Sequence, residues 1–233
     1  MTLLKVENLK AYYGDSQVLQ GIDLVVGRGE HVALLGRNGM GKTTLLRSVM
    51  GLVPKRTGAV MLAGRDITDL APETIARAGI GWVPEGRGIF GSLSVSENLV
   101  MAARTGTAGD WGLDKVYRLF PRLYERRSHG GHQLSGGEQQ MLTIGRALMT
   151  NPDLILIDEA TEGLAPMVAQ DIWRTLELIR EEGVATLVVD KDFRSLSRIA
   201  DRAIMLAKGS IVFEGTSAAL VAQPSLLEKH LGL

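Results

Sequence analysis

Cysteine is absent from the 233 residues. That excludes disulfide scaffolds, thiolate zinc sites, iron–sulfur clusters and cysteine nucleophiles. Neither sign of charge is in excess, since 26 Lys and Arg face 26 Asp and Glu. A chain without a global field attracts neither nucleic acid nor an anionic membrane surface. Any anion it binds must be held by a local site. Long apolar runs are also missing. The runs at 32–35, 154–157 and 187–189 are far too short to cross a bilayer. The opening MTLLKVENLKAYYG lacks the continuous apolar stretch of a secretion signal. We therefore expect a cytoplasmic protein that reaches a membrane only through a partner.

Glycine is what the chain has in plenty, at 28 of 233 residues against an ordinary share of about 7%. The glycines do not form a linker. They punctuate, at 36, 39, 41, 86, 88, 130, 131, 136 and 137, where a turn or a close approach to the backbone is implied.

Hydropathy patterns predict strands at 3–9, 18–26 and 31–35, then a helix at 42–50 that Gly51 ends. Short strands at 59–62 and 80–83 flank a helix at 72–78. Helices are expected at 95–104, 113–119 and 136–149. Strand and helix then alternate: 154–157, 165–182, 185–189, 194–200 and 203–206. A turn at Lys208-Gly209-Ser210 leads into a strand at 211–214, and helices at 218–222 and 225–230 close the chain. Such alternation implies an α/β fold with a parallel sheet. The central helical stretch reads as an inserted subdomain.

Gly36-Arg37-Asn38-Gly39-Met40-Gly41-Lys42-Thr43 fits G-x-x-x-x-G-K-[ST] between an apolar strand and a helix, with Thr44 following. Glycines let N–H groups curl around phosphates, and the helix N-terminus adds its positive end. Lys42 suits the β- and γ-phosphates and Thr43 suits Mg²⁺. The alternative is a plain glycine-rich turn. Downstream, Leu154-Ile155-Leu156-Ile157 precedes Asp158-Glu159. Carboxylates at the C-terminal end of a buried strand lie where such sheets place ligands. There Asp158 can hold Mg²⁺ and Glu159 can activate water; otherwise the pair is a solvated acidic loop. In Leu134-Ser135-Gly136-Gly137-Glu138-Gln139-Gln140, Ser135 and Glu138 spell a capping box. A cap does not need Gly136 and Gly137. They bare the N–H groups of the first turn, which makes a second anion site, useful if it closes over a nucleotide held by another protomer.

These segments, with Glu162-Gly163-Leu164 after the acidic pair, together resemble the ATP-binding subunit of an ABC transporter over essentially the whole chain. Val83-Pro84-Glu85-Gly86-Arg87 and Leu93-Ser94-Val95-Ser96-Glu97-Asn98-Leu99, with Glu162 to Pro166, are similar to the shorter ATPase subunit of branched-chain amino acid importers. The resemblance implies a P-loop NTPase fold with an N-terminal antiparallel β portion. One domain spans 1–233: a core of 1–85 and 150–233, and a helical subdomain at about 86–149. It implies ATP and Mg²⁺ as ligands and a head-to-tail dimer, here with a paralogous ATPase subunit. Two membrane-spanning permeases dock beside 85–99, and a periplasmic binding protein delivers substrate. The resemblance places Tyr13 on adenine, although Tyr12-Tyr13 also suits ordinary strand aromatics.

Three positions depart from the wider family pattern. Glu85 stands where a glutamine usually senses Mg²⁺ and water, which fits the amino-acid group. Lys191 replaces the usual γ-phosphate-contacting histidine. It either neutralises phosphate charge or is a solvated loop charge, and it lacks an acceptor. Ala160 replaces a proline. His31, His129, His132 and His230 read as structural or surface residues, and Trp82, Trp111 and Trp173 as core or interface. The rival readings are an amide or urea importer, a non-transport ABC ATPase, and a nucleotide-binding regulator that does not turn over.

Overall fold

A computed structural model describes residues 1–104 and 111–232. The chain opens with β1 (Thr2–Tyr13), β2 (Ser16–Gly27) and β3 (His31–Leu35), followed by α1 (Lys42–Val49). Next come β4 (Lys55–Leu62), β5 (Arg65–Asp66), α2 (Pro72–Arg77) and β6 (Ile80–Val83). Helices α3 (Val95–Ala102), α4 (Leu113–Leu119), α5 (Pro121–Glu125) and α6 (Gly136–Leu148) follow. The remainder is β7 (Leu154–Asp158), α7 (Pro166–Glu181), β8 (Ala185–Val189), α8 (Phe193–Ile199), β9 (Arg202–Ala207), β10 (Ser210–Thr216), α9 (Ser217–Val221) and α10 (Pro224–Leu231).

Two sheets form. One is antiparallel in the order β2-β1-β4-β5, and the other runs β10-β9-β3-β8-β7-β6. In the second sheet, β9, β3, β8, β7 and β6 are parallel neighbours, and β10 is an antiparallel edge. The central strands alternate between two cores. Val32 and Leu34 join the cluster shared with the antiparallel sheet and α1, while Ala33 and Leu35 join the one shared with α6 and α7. Leu154 and Leu156 part from Ile155 and Ile157 in the same way. A period of two with both faces covered explains why these strands read as unbroken apolar runs.

The expected elements are present, with shifted edges. β1 and β2 run longer than 3–9 and 18–26 because their ends pair with each other, Ala11 with Leu19, Tyr12 with Gln17 and Tyr13 with Ser16, where apolar alternation has lapsed. β4 starts at Lys55 rather than 59, and β5 adds a short strand beside it. Helix α5 went unread: its signal is Pro121 at the first helical position, where a proline fits at no cost. The 208–210 turn is a two-residue hairpin with Lys208 at φ 48° and Gly209 at φ 77°, the left-handed pair that a tight hairpin needs.

The parallel strands end together. The end of β3 leads to 36–43, that of β7 to 158–159, that of β8 to 190–192 and that of β6 to 84–88. The edge at which α/β sheets receive ligands is therefore built from four loops.

Candidate nucleotide site

The loop after β3 turns sharply. Gly36, Gly39 and Gly41 have φ of 141°, 77° and 103°. At Gly36 a Cβ would lie 2.5 Å from the Leu206 carbonyl oxygen, and at Gly41 2.9 Å from Leu19 Cδ2. Both positions exclude any side chain. Gly41 caps α1 without a side-chain hydrogen bond, so the first N–H groups of α1 lack a side-chain acceptor, an arrangement suited to an anion. Lys42 is almost fully buried. Its Nζ donates to the Gly36 carbonyl at 2.7 Å and the Arg37 carbonyl at 3.0 Å. Burial lowers its pKa, and Glu159 and Asp158 oppose that shift.

Thr43 Oγ1 donates to Asp158 Oδ1 at 3.1 Å. Asp158 is 1% exposed and its Oδ2 has no hydrogen-bond partner among the described residues. Burial raises its pKa, Thr43 works against that, and Glu85 adds to it. A buried carboxylate oxygen without a partner, next to a hydroxyl, is a hard-oxygen donor set. These residues fit Mg²⁺.

Glu159 has a φ of 58°, unusual for a residue with a side chain and typical of strain held at a working site. Its N–H donates to the Val189 carbonyl at 2.9 Å. Its carboxyl pKa is pushed up to about 7, first by burial and then by the neighbouring Glu162 carboxylate; Lys191 pulls it back. Lys191 Nζ lies 3.4 Å from Glu159 Oε2 and 2.5 Å from Glu162 Oε1. Asp190 fastens the two loops together, accepting from the N–H of Thr161 at 2.8 Å and its hydroxyl at 2.9 Å.

Asn38, Gly39, Gly41, Lys42, Thr43, Thr44, Glu85, Glu159 and Val18 line a cavity of about 440 Å³. The fold thus brings most of the sequence-predicted phosphate and carboxylate residues into one space. Other predicted residues stand apart from it. Tyr13, at the end of β1, is 46% exposed and is not among the lining residues. The Arg37 side chain turns toward α10, reaching the Glu228 carbonyl at 3.5 Å, so its part in the loop is played by its backbone. Met40 closes the loop from behind, its carbonyl accepting from Gly209 N–H at 3.1 Å. Lys191 lines a separate cavity of about 370 Å³ with Gly36, Arg37 and Asn38.

Residues 134–138 do not line the cavity at the phosphate loop. Ser135 caps α6, accepting from Glu138 N–H at 3.3 Å, and Glu138 accepts from Ser135 N–H at 2.8 Å. The two glycines turn out to have different surroundings. A Cβ at Gly136 would come 3.0 Å from the Arg87 guanidinium, the far end of a long side chain. A Cβ at Gly137 would come 2.3 Å from Val168 Cγ1 on α7, so Gly137 is required for helix packing, whatever its N–H binds.

The structure adds residues that sequence reasoning left aside. Arg87, at φ 69° between Gly86 and Gly88, donates to Gln139 Oε1 at 3.2 Å. Thr143 Oγ1 reaches the Arg87 carbonyl and Arg146 the Gly88 carbonyl, each at 2.7 Å. The loop bearing Glu85 is therefore clamped to α6. Glu162 is the other addition; its only sequence signal was its place in the Glu-Gly-Leu segment.

The family model described as ABC transporter matches residues 19–162. The chain is 41% identical to the high-affinity branched-chain amino acid transport ATP-binding protein BraG of Pseudomonas aeruginosa, over 99% of this chain and 100% of that protein. It is 34% identical to the lipopolysaccharide export system ATP-binding protein LptB of Escherichia coli, over 100% of this chain and 98% of that protein. Among solved structures it resembles a dimeric post-hydrolysis state of an ATP-binding cassette bound to ADP and Pi, at TM-score 0.77 and 28% identity, covering 92% of this chain and 99% of that one. With a family model matched over more than half its length and a full-length relative at this identity, the chain belongs to the ABC transporter family, as one of its ATP-hydrolysing subunits.

Proposed function

We propose that this ATPase powers the uptake of branched-chain or related amino acids, at the cytoplasmic face of the cell's inner membrane. The observation that carries the catalytic part is the single cavity in which Lys42, Thr43, Glu85 and Glu159 meet, with Asp158 bonded beneath Thr43. The loop N–H groups and Lys42 hold the β- and γ-phosphates of ATP. Glu159 accepts a proton from a water that attacks the γ-phosphorus, and the bond to the β–γ bridging oxygen breaks, leaving ADP and phosphate. Thr43, Asp158 and Glu85 would hold Mg²⁺, which when bound supplies charge neutralisation at the phosphate oxygens. Tyr13 stacks on adenine.

Ser135, Gly136, Gly137 and Glu138 serve the nucleotide of a second ATPase subunit, since they stand outside this chain's own cavity. The dimeric cassette above supports that reading, as does Met167 at the start of α7, 79% exposed and next in the chain to Val168, which packs on Gly137. Two permeases dock beside 85–99, where Phe90 exposes apolar surface, with Val100 and Met101 exposed just beyond it on α3. No described helix is long and apolar enough to cross a membrane, so partners provide the path, and a periplasmic binding protein would deliver the substrate.

The likeness to BraG favours amino acid import, and its identity exceeds that to LptB. The test is phosphate release by the chain assembled with its permeases, with Glu159→Gln as the control. Release stimulated by a loaded amino acid-binding protein, and lost in the variant, is the expected result. Equal release from both forms defeats the catalytic assignment, and stimulation only by a lipid substrate defeats the import assignment.

A further inference from the structure

Glu85, Glu159 and Glu162 each place a carboxylate oxygen within 4.8 Å of the others. Like charges this close repel, and one of them must be protonated or countered. Lys191 is the cation on the group, closest to Glu162 and next to Glu159. Its backbone is anchored. The preceding Asp190 is tied to Thr161 and to the N–H of Asp192, and Phe193 N–H donates to the Lys191 carbonyl. Its side chain is 54% exposed, and a lysine carries its charge on a flexible four-carbon stem.

On its other side Lys191 lines the cavity with Gly36, Arg37 and Asn38 of the phosphate loop. Asn38 borders both this cavity and the one assigned to the phosphates, and the charge of Lys191 bears on Lys42, so the ammonium stands on the carboxylates and beside the phosphate loop. Lys42 is held in a similar way, on the Gly36 and Arg37 carbonyls.

We infer that Glu162 is a positioning residue: it holds Lys191 on the Glu159 side, and a bound triphosphate competes with it for the ammonium. Residue 162 then sets the preference of the site for triphosphate over diphosphate, because the terminal phosphate is the group that draws Lys191 across. This inference rests on the nucleotide site proposed above. Lysine suits the task as a compact charge on a long stem, free of the planar fork that ties arginine to one geometry.

The test is a double-mutant cycle on the full chain, read by calorimetry with Mg²⁺ and either ADP or a non-hydrolysable ATP analogue. The forms are the parent, Glu162→Gln, Lys191→Met and the double variant; both side chains are about half exposed, so the fold should tolerate the changes. Glu162→Gln should bind the analogue about two- to fivefold more tightly, the range an exposed ion pair commands, with ADP unchanged. On the Lys191→Met background the same change should have no effect, and Lys191→Arg should restore part of it. An unchanged analogue affinity overturns the inference. So does an equal gain for ADP, or a gain that persists without Lys191, since either would be simple relief of repulsion. A parent chain that binds neither nucleotide defeats the site itself, a result distinct from these.

Discussion

Gly137→Ala tests whether the serine–glycine turn is shaped by packing. The added Cβ would sit 2.3 Å from Val168 Cγ1 and 3.4 Å from Val168 Cβ. Carbon atoms rest at about 3.5–4.0 Å, so the closer contact is more than about 1 Å too short. Val168 lies on the first turn of α7 and is half-buried. Its branched side chain is confined to essentially one rotamer in a helix, so turning away is costly. Helix α6 is fixed by its own cap and by the Arg87, Thr143 and Arg146 contacts. Overpacking of this kind costs about 1–3 kcal/mol. For a chain of this length each kcal/mol lowers the melting temperature by about 2–4 °C. Thermal unfolding followed by circular dichroism should therefore show a drop of about 2 to 12 °C. Adding Val168→Ala should return most of the loss, because residues in contact are not additive. A melting temperature for Gly137→Ala within about 1 °C of the parent, well below one such step, would refute the crowding.

Two pH effects follow from the shifted groups. As the proposed base, Glu159 would act only when ionised, and its pKa is raised to about 7, so kcat/KM for ATP should climb with pH through about that value. Lys191→Met removes a cation that lowers this pKa and should move the midpoint upward; a profile flat across neutrality would contradict the assignment. His31 is buried and its pKa is lowered from 6.5 to about 4, chiefly by burial. The unfolded chain takes up a proton there below about 6.5 while the folded one does so only near 4. Its share of stability is thus complete above 6.5 and falls as the pH drops toward 4. Melting temperatures measured between pH 7 and 4 should fall less steeply in His31→Gln; identical slopes would contradict this.

Much of the site was legible because its determinants are local. The strand, glycine loop and helix at 31–50 specify one another within a few residues, and Asp158 follows directly from the buried run 154–157. What was hidden depends on residues far apart in the chain. Val168 decides what Gly137 is for, 31 residues downstream. Arg87 meets Gln139 across 52 residues and Thr143 across 56. Glu162 pairs with Lys191 across 29, and no pattern of hydropathy announces an ion pair between two loops. Strand ends were misjudged for a related reason: the outer reaches of β1 and β2 are held by pairing with each other, not by apolar alternation.

The nucleotide site itself is tested most directly by equilibrium binding of ATP with Mg²⁺ to the purified full chain and to Lys42→Ala. In the proposed site Lys42 would exchange its two carbonyl contacts for the phosphates, and charged hydrogen bonds contribute about 1.5–3 kcal/mol, where about 1.4 kcal/mol is tenfold in affinity. The parent should bind one ATP per chain, and the variant at least about tenfold more weakly. No binding by the parent, or equal affinity in both, would contradict the site.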